Sequence, residues 1–369
     1  MVVLERQDVN VYERVIKNNT DIPEDRLRDF LCDNLQDDSL AELRDNIFKD
    51  DEDLTKYSYF PIRHKHLESC YKGLLNSFWT VGHLKLEAAK ERKEWDDLDV
   101  PTRNFVKMLL FLFAQLDGIV AENLIKNFKE ETSHIKECCY FYAIQEVNEN
   151  IHNETYSTLI DIYIRDTKEK ELGFNSIKNF ESIRVIAAWT KKWMDPSLPL
   201  LERVVAFACV EGILFSSAFA GIYWIKRRNI LQGLTLANEW IARDEGSHTA
   251  WAVTLYWFFV NELGYEPIPL ERLYEIISSS VKVGVFFNKD AMKLETVGIN
   301  IEDMTCYIKC TADSLIHSFG GEKLYKVNNK FDWMAVISLP NKSNFFEKTV
   351  TEYSKVDDIM EEFSMDEEF

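Results

Sequence analysis

Apolar residues recur at helical spacing along most of the chain, from about residue 56 to about 325. Repeats at three and four residues mark amphipathic or buried helices rather than strands. Residues 102–129 and 132–164 form two long periodic stretches. "DTKEKELGFN" breaks the pattern, "SIKNFESIRVIAAWTKKWM" resumes it, and "DPSLPL" reads as a linker. Further helices are predicted at about 200–228 and 232–262, with two or three more running to about 325. Pro101, in "DVPTRNF", suits the first turn of a helix, and no proline follows until Pro196. From "NNKFDWMAVISLPNKSNFFEK" onward the periodicity decays. Three regions follow from this pattern. Residues 1–55 are polar and acidic and are expected to be a loosely attached arm; 56–340 form the helical domain; 341–369 form a flexible tail. The last 18 residues hold eight acids and one lysine, a composition that buries too little to order itself.

Composition sharpens the fold class. The 369 residues are 46% apolar, with 24 Phe, 15 Tyr and 9 Trp, so a large core is available. Only 13 Gly and 8 Pro are present, too few for a turn-rich β fold, and the chain reads as all-α. The net charge of −19 excludes the basic face that a nucleic-acid binder needs. Seven cysteines, without a C-x-x-C pair, read as reduced thiols of an intracellular protein. "MVVLERQDVN" has no secretory pattern, so a cytoplasmic location is expected. "RVVAFACVEGILFSSAFAGIYWI", 203–225, is long enough to cross a bilayer. Its central Glu211, its Arg203 and the following "KRR" favour a buried bundle helix, and no membrane partner is expected.

Carboxylates in apolar surroundings carry the candidate chemistry. Asp117 lies in "LLFLFAQLDGIVAENL" and Glu211 in "AFACVEGILF". A lone ionised carboxylate in a dry core costs several kcal/mol, so several at regular places suggest a shared cation. Glu149 and His152 form E-x-x-H in "ENIHNETY"; Glu245 and His248 form a second in "RDEGSH". Residues three apart lie on one helix face, so each pair can offer two ligands to one site. Asp117 precedes the first pair by 32 residues and Glu211 the second by 34. The chain thus reads twice as a carboxylate on one helix, a return, and E-x-x-H on the next. That is the ligand pattern of carboxylate-bridged dinuclear sites in four-helix bundles. Four carboxylates and two imidazoles suit two iron ions, with manganese as the other hard-donor choice.

Tyr156 stands four residues past His152 and seven past Glu149, almost in line with both. A phenol there is placed to give up an electron and a proton to an oxidised metal centre. Phe215 and Phe219 follow Glu211 by one and two turns, and Ile241 precedes Glu245 by one, so these three are candidates for an apolar wall around a radical.

These motifs resemble the radical-generating small subunit of class I ribonucleotide reductase, of the eukaryotic and large-DNA-virus type. The likeness runs from about residue 56 to 369 through "SFWT", "DGIVAENL", "ENIHNETYS", "ERVVAFACVEGILFS", "RDEGSH", "NFFEK" and the terminal "FSMDEEF". It implies a ferritin-like helical fold and a homodimer. It also implies metal ligation by Asp117, Glu149, His152, Glu211, Glu245 and His248, and a stable tyrosyl radical on Tyr156. Trp79 and Asp244 match a Trp and an Asp that link metal to surface in that family, with Arg243 beside them. In such a link Asp244 accepts from His152 and from the Trp79 indole. Tyr353 matches the family's tail tyrosine that passes the radical to the large subunit. Phe363, Met365 and Phe369 are apolar anchors in the peptide that docks there.

The sequence departs from the family after "SFWT", where "VGHLKLEAAKERKEW" runs two residues longer, and in the tail, "SMDEE" in place of "TLDAD". A stand-alone di-iron oxidase, hydroxylase or desaturase would share the six ligands, as would an iron-storing bundle. Neither would need Trp79, Asp244 or a tail ending in Phe369. No glycine pattern for holding a nucleotide's phosphates occurs, so the nucleotide is expected on the large subunit.

Overall fold

The computed structural model describes residues 57–293, 299–331 and 334. The chain divides into two units, Met1–Pro61 and Ile62–Phe369, and all helices named here belong to the second. In order they are α1 (Lys65–Asn76), α2 (Ala88–Asp96), α3 (Val100–Glu131), α4 (Lys136–Tyr163), α5 (Thr167–Phe174), α6 (Glu181–Lys192), α7 (Leu200–Arg227), α8 (Gln232–Asn261), α9 (Leu270–Ala291) and α10 (Ile301–Ser318). No β-strand occurs among the described residues. The "DTKEKELGFN" stretch, expected as a break, contains α5. The Asp166 carboxylate accepts from the Glu169 N–H at 2.8 Å and caps that helix, a local bond that periodicity alone does not reveal.

Local chemistry sets the helix starts. Asp99 accepts from the Thr102 N–H at 2.7 Å, and Pro101 occupies the first turn of α3. Asn300 caps α10 through the Asp303 N–H at 2.8 Å. Arg203, buried near the start of α7, donates to both oxygens of Glu131 at the end of α3. This fork-to-fork pair ties the two longest apolar helices together and accounts for the buried cation.

Two helical pairs form the centre: α3 packs along α4, α7 along α8, and α4 meets α8. The connection between α3 and α4 and that between α7 and α8 are short, so each pair is antiparallel. The pairs are glued by aromatics. Phe141 of α4 stacks on Trp251 of α8 at 4.1 Å and 9°, and both are fully buried. Each such ring contributes about 1.5–3 kcal/mol by leaving water. Helices α9 and α10 pack on each other and cover α7. Helix α7 includes residues 203–225, and 94% of its most apolar 18-residue stretch is buried inside the protein, against 67% for α3.

Candidate metal centre

Each of the four central helices carries acid into the core. Asp117 of α3, Glu149 of α4, Glu211 of α7 and Glu245 of α8 are each 1% exposed, and His152 and His248 are fully buried. Glu211 sits where α7 widens into a π turn over Val210–Phe215. Gly212 follows it. A Cβ there would lie 2.9 Å from Thr249 Cγ2, so only glycine lets this segment approach α8 beside His248.

The two E-x-x-H pairs face each other. Glu245 places Oε1 2.8 Å from His152 Nδ1 and Oε2 2.8 Å from His248 Nδ1. Glu149 does the same less closely, with Oε2 3.7 Å from His152 Nδ1 and Oε1 3.1 Å from His248 Nδ1. Each of these carboxylates therefore spans the two imidazoles. Ligand atoms of Glu149, Glu211, Glu245 and His248 all lie within 4.8 Å of one another. Asp117 and His152 fall outside that tightest set. Asp117 still feels the charges of Glu149, Glu245 and both histidines.

Electrostatics show how poorly the site is satisfied by protein alone. Burial first, then the charges of its carboxylate neighbours, raises Asp117 well above the usual carboxylate range, and Glu211 likewise. Burial would pull both imidazoles down. The hydrogen bonds to Asp244, Glu149 and Glu245 outweigh it for His152, and the charges of Glu245 and Glu149 push His248 up to about 9. Glu245, although desolvated, is held below its ordinary value by His248 and His152. Asp117 Oδ2, both oxygens of Glu211 and His248 Nε2 are buried without a hydrogen-bond partner. Each such orphan costs about 1–3 kcal/mol, more when charged. Clustered together, they are the groups that bound cations would satisfy. The donor set of carboxylate oxygens and imidazole nitrogens fits two hard divalent ions.

Tyr156 is fully buried beside this cluster and its hydroxyl is unpartnered. Burial, then Asp117, Glu245 and Glu149, pushes its phenol far above the ordinary tyrosine value. Phe113 stacks on the ring at 4.4 Å and 5°. Phe219 and Phe215 pack in turn on Phe113, at 5.1 Å and 5.7 Å. Ile241 is 1% exposed on α8. Phe113 escaped the sequence reading. Its spacing, four residues before Asp117 on the same helix face, is the signal that could have found it.

A polar chain leads from the cluster toward the surface. The Trp79 indole N–H donates to Asp244 Oδ2 at 2.6 Å, and His152 Nε2 lies 3.3 Å from the same oxygen. Arg243 donates to Asp244 Oδ1 at 3.0 Å and to the Ser77 carbonyl at 2.7 Å. The carboxylate thereby fixes the His152 ring and leaves Nδ1 toward the cluster. The longer segment after Trp79 forms α2, which ties together the ends of two central helices. Glu91 accepts from Tyr163 Oη at 2.5 Å and from the Gly233 N–H at 2.6 Å, and Glu94 accepts from the Leu231 N–H at 2.6 Å. Arg92 donates to the Ile162 and Tyr163 carbonyls. Acids thus meet the N-terminus of α8 and a base meets the C-terminus of α4, the favourable sense for both helix dipoles. Tyr353, Phe363, Met365 and Phe369 lie outside the described residues, as do the 1–55 arm and the 341–369 tail.

Buried carboxylates and imidazoles converging from four core helices define a helical bundle protein whose core cluster fits a carboxylate-rich dinuclear metal site. The model of the family "Ribonucleotide reductase, small chain" matches residues 56–331. The chain belongs to that family. It is 40% identical over 319 residues to the ribonucleoside-diphosphate reductase subunit M2 of Mesocricetus auratus, covering 86% of this chain and 81% of that one. It is 41% identical over 317 residues to the ribonucleoside-diphosphate reductase small chain of Variola virus, covering 85% and 97%. Among solved structures, a ribonucleotide reductase homodimer from Saccharomyces cerevisiae superposes with a TM-score of 0.66 at 27% identity, covering 89% of this chain and 99% of that one.

Proposed function

We propose that this chain is the small subunit of a ribonucleoside-diphosphate reductase, and that it generates and holds a tyrosyl radical on Tyr156. Asp117, Glu149, His152, Glu211, Glu245 and His248 would hold two iron ions, with manganese able to satisfy the same donors. Glu149 and Glu245 each lie near both imidazoles, so they join the two E-x-x-H pairs into one site. The bound pair, reacting with O2, supplies the oxidising power that removes one electron and one proton from a phenol. The observation that carries this reading is the unpartnered Tyr156 hydroxyl, buried against the orphaned carboxylates.

The chain's own residues do the rest. Asp244 holds His152 in place and keeps the Trp79 N–H engaged. Phe113, Phe215, Phe219 and Ile241 exclude water and reductants from Tyr156. Trp79 and Tyr353 relay the radical, and the tail anchors Phe363, Met365 and Phe369 dock the large subunit, where ribonucleotides are reduced. A homodimer in the cytoplasm completes the reading. A stand-alone oxidase is disfavoured, because the relatives at about 40% identity are named as reductase small chains and subunits. The test is electron paramagnetic resonance after adding Fe(II) and O2. A tyrosyl signal is expected in the native protein and none in Tyr156→Phe. A native protein that binds the metal without forming an organic radical overturns the reading.

A further inference from the structure

Trp79 has a second aromatic neighbour that the path described so far does not use. On one side its ring stacks near His152, with centroids 6.1 Å apart at 23°. On another it meets Trp240 edge to face, at 5.2 Å and 63°. Trp240 lies on α8 one turn before Asp244, so the two share a helix face. Trp79 is 5% exposed and has almost no surface of its own. Trp240 is only half-buried. The pair therefore runs from the carboxylate chain inside the bundle to its surface through two touching indoles.

We propose that Trp240 is a second redox-active indole, which exchanges an electron with Trp79 and carries the oxidising equivalent between the interior and the protein surface. This rests on the proposed metal centre and Tyr156 radical, which supply the oxidant. That oxidant takes one electron from Trp79, and Trp79 then takes one from Trp240. The second step moves an electron only. No bond forms or breaks, and the Trp79 N–H stays with Asp244. Trp240, left one electron short, is refilled from outside the bundle by a soluble one-electron reductant or by a phenol that yields its proton to water. Environment supports both stations. The Asp244 carboxylate stabilises positive charge on Trp79, and solvent of high dielectric stabilises it on Trp240. Indoles and phenols are oxidisable in this way; a phenylalanine ring of similar shape is not.

That contrast gives the test, because Tyr and Phe at position 240 fill nearly the same space. Native protein, Trp240→Phe and Trp240→Tyr are each loaded with Fe(II) and exposed to O2 in the presence of ferrocyanide. Stopped flow reads the rate at which ferrocyanide delivers its electron to the reacting centre. The Tyr156 signal in the same samples monitors the centre itself. The expected result is a loss of about tenfold or more in Trp240→Phe, with most of the rate restored in Trp240→Tyr. The same order of rates is expected for nucleotide reduction with the large subunit. If Phe and Tyr variants are equally slow, or both match the native rate, Trp240 only packs on Trp79 and the proposal falls alone. A native protein with no tyrosyl signal overturns the metal-centre reading, and the relay with it.

Discussion

Phe113 stacks on Tyr156, and its other ring neighbours are Phe215 and Phe219. Substituting Phe113→Leu should cost about 1 kcal/mol of stability and leave the metal content unchanged. The Tyr156 radical should decay several-fold faster, as followed by paramagnetic resonance after loading. An unchanged lifetime would show that Phe113 is packing alone. Asp244 makes the opposite kind of prediction. Asp244→Ala removes the acceptor shared by His152 Nε2 and the Trp79 indole, both buried. Loss of such an outer partner typically costs 10–100-fold in metal affinity or activity. A metal titration showing native affinity, together with native turnover, would contradict this. At this scale the two E-x-x-H pairs of candidate ligands were legible because i, i+3 spacing on a helix is local. Phe113 was missed because its four-residue spacing to Asp117 is shared by ordinary core residues, and only the packing of α3 on α4 puts its ring on Tyr156.

At the level of elements, α2 acts as a clamp between α4 and α8. Its run "KERKE", 90–94, is entirely charged. In the fold, Glu91 is 2% exposed and satisfies Tyr163 Oη and the Gly233 N–H at once. Glu91→Ala should therefore destabilise the protein by about 2–4 kcal/mol, since both donors lose a charged acceptor. Glu94→Ala, which frees only the Leu231 N–H, should cost about 1 kcal/mol. Chemical denaturation of the two variants checks the ordering. Equal small losses would mean that α2 does not brace these helices. The helices themselves follow from periodicity and capping, and their boundaries fall near the expected ones. The π turn around Glu211 does not follow from periodicity, because it arises where α7 must fit against Thr249 of α8.

For the whole molecule, the metal-free centre sets a pH dependence. His248 binds its proton up to about pH 9 in the folded chain against an ordinary value of 6.5. A folded state that holds more protons than the unfolded one loses stability as pH rises. The metal-free protein should lose this contribution as pH climbs from 6.5 toward 9, with raised Asp117 and Glu211 acting in the same sense from lower pH. Metal displaces those protons, so the loaded protein should show a much flatter melting temperature over the same range. Scanning calorimetry of both forms decides this; parallel curves would sink the account. What the sequence by itself determined is the set of six candidate ligands, their order on four helices, the phenol at Tyr156 and the family, because these rest on spacing within single helices and on contiguous motifs. What only the tertiary structure decided is which atoms meet: the carboxylates of Glu149 and Glu245 spanning both imidazoles, the ring of Phe113 on Tyr156, the clamp of α2 and the edge of Trp240 on Trp79. These depend on how separate helices pack, and close packing between elements is a property of the assembled core rather than of any one stretch of chain.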